Sequence, residues 1–171
     1  MMRKALYILG DLSESDVLHL ADTGVTVELA QGEVLVRAGR PVENLYFVTA
    51  GQLEVRLPNG EAVATLGVGD VIGEMSFVEK RSPNTDVVAT EASRLLAVPR
   101  DGLEAELARD PAFAARFYKA LATFLSDRLR TMTAGADSAG DDLDERLLDM
   151  VHVAGDRMLR LIALMDGKPA R

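Results

Sequence analysis

Between residues 25 and 73 the sequence breaks into brief runs rich in Val, Leu and Thr, and a glycine or Pro58-Asn59-Gly60 closes almost every one. The runs cover residues 25–30, 33–37, 45–48, 53–57, 62–66 and 71–72, and two more follow at 86–90 and 94–98. Evenly spaced short strands with turn residues between them predict an antiparallel barrel or roll. The surest corner is Leu57-Pro58-Asn59-Gly60-Glu61, where Asn and Gly accept the positive φ that tight hairpins demand.

Helical signals flank this region. Ser13 followed three residues later by Asp16 predicts a capped helix start, with the helix running to about residue 21. Asp101 is placed to cap a helix over 101–108. Asp110-Pro111 opens a longer one to about 131, in which Phe113, Phe117, Leu121 and Phe124 recur at helical spacing, as core or subunit packing. Residues 133–140, TAGADSAG, read as a flexible linker. From 141 to 165, Leu143, Leu147, Val151, Met158 and Ile162 share one side of an amphipathic helix. Its first nine residues hold five acids and one base, while Arg157 and Arg160 lie further on, a polarity that complements the helix dipole. The expected class is α+β: an N-terminal helical segment, an antiparallel jelly-roll-like β-roll with a short helix inserted, and long C-terminal helices. The expected divisions are a sensor domain over 1–132, a linker over 133–140 and a dimerisation or partner helix over 141–171.

Composition removes whole classes of function. Nineteen Lys plus Arg against 27 Asp plus Glu give a formal charge of −8, with no basic run to follow a phosphate backbone, so nucleic acid is not an expected partner. The absence of Cys excludes disulfides, thiolate catalysis and Cys-based metal sites. The only histidines, His19 and His152, cannot assemble a metal cluster in the roll and accompany no nucleophile motif, so both are expected to be structural or exposed. No metal, no resident cofactor and no enzymatic activity are expected. There is neither a signal-peptide pattern nor a long apolar stretch, which points to a cytoplasmic protein away from membranes.

The densest chemical candidate is Gly73-Glu74-Met75-Ser76-Phe77. A glycine ahead of a helical turn lets N–H groups converge on an anion, and a neighbouring carboxylate accepts hydrogen bonds from vicinal sugar hydroxyls, a combination suited to a nucleotide or sugar phosphate. Taken alone the motif is weak, and a turn with a solvated Glu74 is the simpler reading.

The ordered set is far more specific. Leu12-Ser13 and its helix, Gly32-Glu33-Val34-Leu35, Arg37-Ala38-Gly39, Leu45-Tyr46-Phe47-Val48 with Gly51, Leu66-Gly67-Val68-Gly69-Asp70 and Gly73-Glu74-Met75-Ser76-Phe77 together resemble the cyclic-nucleotide-binding domain superfamily, the sensor fold of catabolite-activator-type regulators. The resemblance implies that Gly73 to Phe77 begin a phosphate-binding cassette. Glu74 then meets the ribose 2′-hydroxyl, and N–H groups near Met75 and Ser76 meet the cyclic phosphate. The cassette's arginine falls on Pro83, which has neither charge nor N–H, so the phosphate would be left to Arg81, Asn84 and Thr85.

Two functions follow as expectations. One is a regulatory module that senses a cyclic nucleotide (cAMP or cGMP type) and relays it through C-terminal helices; the other is a degenerate fold that has lost its ligand and works as an oligomeric adaptor or scaffold. Beyond residue 130 the sequence offers a linker and one helix, not the two helices and basic surface of a helix-turn-helix. The partner expected for the last helix is a second subunit, in an antiparallel homodimer centred on Leu147, Val151, Met158 and Ile162, with an unidentified protein partner as the alternative.

Overall fold

The computed structural model describes residues 9–133 and 145–167, with side chains over 9–126 and 153–167. After a helical turn at residues 9–11 come α1 (Glu14–Thr23), β1 (Val25–Leu29), β2 (Val34–Val36), β3 (Asn44–Ala50), β4 (Gln52–Arg56), β5 (Ala62–Gly67) and β6 (Val71–Ile72). The order continues with the short α2 (Glu74–Glu79), β7 (Asp86–Ala89), β8 (Ser93–Pro99), α3 (Arg100–Arg109), α4 (Pro111–Thr133) and α5 (Glu145–Asp166). The strands form two four-stranded antiparallel sheets in the orders β1-β8-β3-β6 and β2-β7-β4-β5. This is the expected α+β roll, and each strand lies within two residues of its run in the sequence.

Local chemistry explains where the elements begin. Ser13 Oγ accepts from Asp16 N–H at 3.2 Å while the Asp16 carboxylate accepts from Ser13 N–H at 2.7 Å, so the capping box is complete. Asp110 Oδ1 caps α4 by accepting from the N–H groups of Ala112 and Phe113. In the β4–β5 hairpin, Gly60 has φ +87° and Asn59 Oδ1 accepts from Glu61 N–H at 2.9 Å. The expected Asp101 cap does not form. Pro99, at φ −59°, is the N-cap residue and carries no side-chain cap bond, so Asp101 sits inside the first turn of α3.

In the β1-β8-β3-β6 sheet, β3, β6 and β8 are largely buried on both faces, which is why these strands read as near-continuous apolar runs. Leu45, Phe47, Val71, Leu96 and Val98 pack toward the helices, whereas Val48, Ile72 and Leu95 join Val36, Leu53, Leu66 and Val87 inside the roll. The phenylalanine stripe of α4 is core: Phe113, Phe117 and Phe124 are all buried, and Phe117 stacks edge-on against Phe113 at 6.0 Å.

The apolar face of α5 has a different cover from the one expected. Ala154, Met158, Leu161 and Met165 are buried in the chain's own core with Leu9, Leu12, Val17 and Leu20, and Ile162 packs against the same cluster. Arg157 donates to the carbonyls of Leu9 and Gly10 at 2.6 and 2.9 Å, Arg160 pairs with Glu14, and Arg94 holds Asp166 at 2.8 Å. Met158 and Ile162 therefore take part in an intrachain contact, and Arg157 and Arg160 find partners in the same chain. Leu147 and Val151 lie on α5, but their side chains, like that of His152 and all of 134–144, fall outside the described residues. No helix among the described residues is long and apolar enough to cross a membrane.

One core position is imperfect. Thr26 is 4% exposed on β1, and its Oγ1 has no hydrogen-bond partner among the described residues. Replacing that hydroxyl with a methyl removes the desolvation penalty of an unmade bond, so Thr26→Val is expected to stabilise the fold by about 1 kcal/mol, about 2–4 °C in Tm for a chain this size. Thermal unfolding followed by circular dichroism checks this, and a lowered Tm refutes it.

Candidate functional site

The inserted segment from Gly73 to Thr85 owes its path to its first residue. Gly73 has φ +94° and ψ 1°, and a Cβ there would stand 2.9 Å from the Asn44 carbonyl oxygen. Only glycine meets both demands, because the left-handed conformation is strained for other residues and the obstacle is backbone. With the chain so turned, α2 starts directly at Glu74 and ends at Lys80, itself left-handed at φ +55°.

All eight cassette positions singled out in the sequence line one cavity of about 380 Å³. Gly73, Glu74, Met75 and Ser76 come from the start of α2; Arg81, Pro83, Asn84 and Thr85 come from the loop that leads to β7. Glu74 and Ser76 are buried, at 5% and 7% exposure, while Met75, Arg81 and Asn84 are exposed and Pro83 and Thr85 half-buried. The opposite wall is aliphatic, made by Val36, Val55, Leu66 and Val87 from the β2-β7-β4-β5 sheet. Such a chamber, one wall apolar and one carrying a carboxylate, a hydroxyl and a cation, accommodates a flat apolar ring joined to a polyhydroxylated, anionic part. Among the described residues that line it, Arg81 is the cation and Glu79 a second carboxylate.

Three supports of this site were not legible in the sequence. The carbonyl of Pro83 accepts from Gly39 N–H at 2.7 Å, and Asp86 Oδ1 accepts from Ala38 N–H at 2.7 Å, which ties the cassette loop to the turn after β2. Arg100, at the start of α3, donates from Nη2 to the Phe77 carbonyl at 3.2 Å, lies 5.6 Å above the Phe77 ring and pairs with Glu104 at 3.0 Å. Phe77 in turn meets Phe117 edge-on at 5.7 Å. Nothing in the sequence pointed to these ties or to Arg100, whose role depends on the approach of α2 to α3. His19 stacks edge-on with Phe113 and faces Glu106 at 3.9 Å, a packing role away from the cavity. No group of three or more His, Asp or Glu side chains among the described residues is placed to hold a metal.

Comparison with known proteins agrees with this geometry. The family described as cyclic nucleotide-binding domain matches residues 26–110. Glutaminase 2 of Bradyrhizobium diazoefficiens is 28% identical over 130 residues, 76% of this chain but 21% of that protein. The Pycsar effector protein XpPycTIR of Xanthomonas perforans is 30% identical over 117 residues, 68% of this chain and 38% of the relative. This chain thus spans well under half the length of either relative. Among solved structures, the N-terminal domain of a transcriptional regulator from Streptomyces coelicolor superposes with a TM-score of 0.63 at 26% identity, covering 80% of this chain and 95% of that one. A cyclic nucleotide-binding domain from Methylobacillus flagellatus gives a TM-score of 0.67 at 22% identity, with 81% and 85% covered, and shares the fold. With the family pattern laid across the roll and the cassette walls closing on one cavity, the chain belongs to the cyclic-nucleotide-binding domain superfamily.

Proposed function

We propose that this chain is a non-enzymatic regulatory module that senses a cyclic nucleotide in the roll cavity and passes its occupancy to the helices. The observation that carries this reading is the convergence of all eight cassette positions, buried Glu74 among them, on one cavity. Glu74 would accept from the ribose hydroxyl, the N–H groups of Met75 and Ser76 would face the phosphate, and Arg81, Asn84 and Thr85 would complete its shell. Occupancy would reach the helices through Phe77, which is held by Arg100 on one side and Phe117 on the other.

Calorimetric titration with cyclic AMP, cyclic GMP and cyclic dinucleotides, alongside mass spectrometry of any co-purified nucleotide, tests the proposal. One-to-one binding is expected, and Glu74→Ala should weaken it by about 1.5–3 kcal/mol, the worth of a hydrogen bond to a charged group. The absence of binding to folded protein overturns the reading. Pro83 favours the competing one, a ligand-free adaptor, and the same titration separates the two.

A further inference from the structure

A second concavity, of about 420 Å³, shares Val36 and Val42 with the first and is otherwise built from different residues. Arg37, Arg40, Glu43, Asn44 and Tyr46 supply its polar lining. The two arginines stand at the ends of one turn, closed by Arg40 N–H donating to the Arg37 carbonyl at 3.2 Å, with Gly39 at φ +76° between them. That turn is fixed by its bonds to Pro83 and Asp86, so both guanidinium groups start from a rigid base.

They share their electrostatic situation with Arg81 at the first cavity, which also pairs with no carboxylate among the described residues. Arg56, Arg94, Arg100, Arg109 and Arg116 all pair with carboxylates. Among the described residues neither Arg37 nor Arg40 does so, although Glu43 lines the same concavity. Nearby, Asn44 Nδ2 donates to Tyr46 Oη at 3.2 Å, which leaves the phenolic proton free to donate elsewhere. Two planar guanidinium forks lining one concavity together offer more donors than a carboxylate has oxygens. A phosphate group, with its three terminal oxygens, satisfies both.

We propose that this concavity is a second binding site, for a small phosphate-bearing ligand held by Arg37 and Arg40 with Tyr46 as a further donor and Glu43 as acceptor for a ligand hydroxyl. It uses neither Glu74 nor the cassette loop's side chains, so it stands or falls separately from the cyclic-nucleotide reading.

The test is a ¹H–¹⁵N spectrum of the full chain titrated with inorganic phosphate and, separately, with glycerol 3-phosphate. Sodium chloride at matched ionic strength is the control. Saturable shifts confined to amides of residues 34–46 are expected, tighter for glycerol 3-phosphate if Glu43 meets its hydroxyls. Arg37→Gln together with Arg40→Gln should weaken binding at least tenfold. Both arginines are exposed, and each single variant serves if the double one does not fold. Shifts that fail to saturate, that centre on residues 73–85, or that survive in the arginine variants overturn the proposal.

Discussion

Replacing Pro83 with arginine is expected to tighten cyclic-nucleotide binding by about ten- to a hundredfold, since a charge-assisted hydrogen bond contributes about 1.5–3 kcal/mol and each 1.4 kcal/mol is a factor of ten. Pro83 is half-buried in the wall of the same cavity as the start of α2, and contributes no charge and no N–H donor. A guanidinium there would add a second planar fork to that of the exposed Arg81 in the same cavity lining. The substitution keeps the carbonyl that receives the Gly39 N–H, so the loop's anchor survives. Pro83→Ala is the control, because it frees the backbone without adding charge. Calorimetry on the three proteins decides the matter: equal or weaker affinity in a folded Pro83→Arg variant would mean that the phosphate does not approach this residue.

Asp16→Ala is expected to destabilise the fold by about 2–4 kcal/mol by urea unfolding, because one carboxylate serves two structures at once. It completes the cap of α1 through Ser13, and it receives both Nε and Nη2 of Arg116 at 2.7 and 2.9 Å, which binds α1 to α4. The lower end of that range applies because Arg116 keeps 35% of its side chain in solvent and is rehydrated when the pair breaks. Burial by itself would raise the Asp16 pKa, but the hydrogen bonds from Arg116 and Ser13 outweigh it and hold the carboxyl below its ordinary value. A carboxylate depressed in the folded state contributes fully above the unfolded pKa, about 4, and its contribution disappears as the pH falls through the folded value. The stability gap between the natural protein and Asp16→Asn should therefore be widest near neutral pH and shrink below about pH 4. A gap independent of pH would show that the charge of Asp16 is not what stabilises the contact.

The parts of the molecule that were legible in the sequence are those whose causes lie within a few residues. Glycine-closed runs placed the strands, the Ser13–Asp16 and Asp110-Pro111 signals placed two helix starts, and the ordered motifs ending at Gly73-Glu74 picked out a segment that lines the cavity. Asp101 misled because an acidic residue near a helix start is favourable both as a cap and inside the first turn, and composition does not distinguish them.

The destination of α5 had to wait for the tertiary structure. Its apolar side was plain in the sequence, as was the need to cover it, but periodicity does not say whether the cover is another subunit or the same chain. Arg157 reaches the carbonyl of Leu9 across 148 positions of sequence, and Arg160 reaches Glu14 across 146. The same holds at the site, where Gly39 anchors Pro83 and Arg100 grips the end of α2. The sequence alone determined the strands and the caps at Ser13 and Asp110, since turn geometry, capping and side-chain period act over a few bonds. The fold alone decided which surfaces meet and what encloses the cavity, since those contacts join residues that only the packing of two sheets and their helices brings within reach.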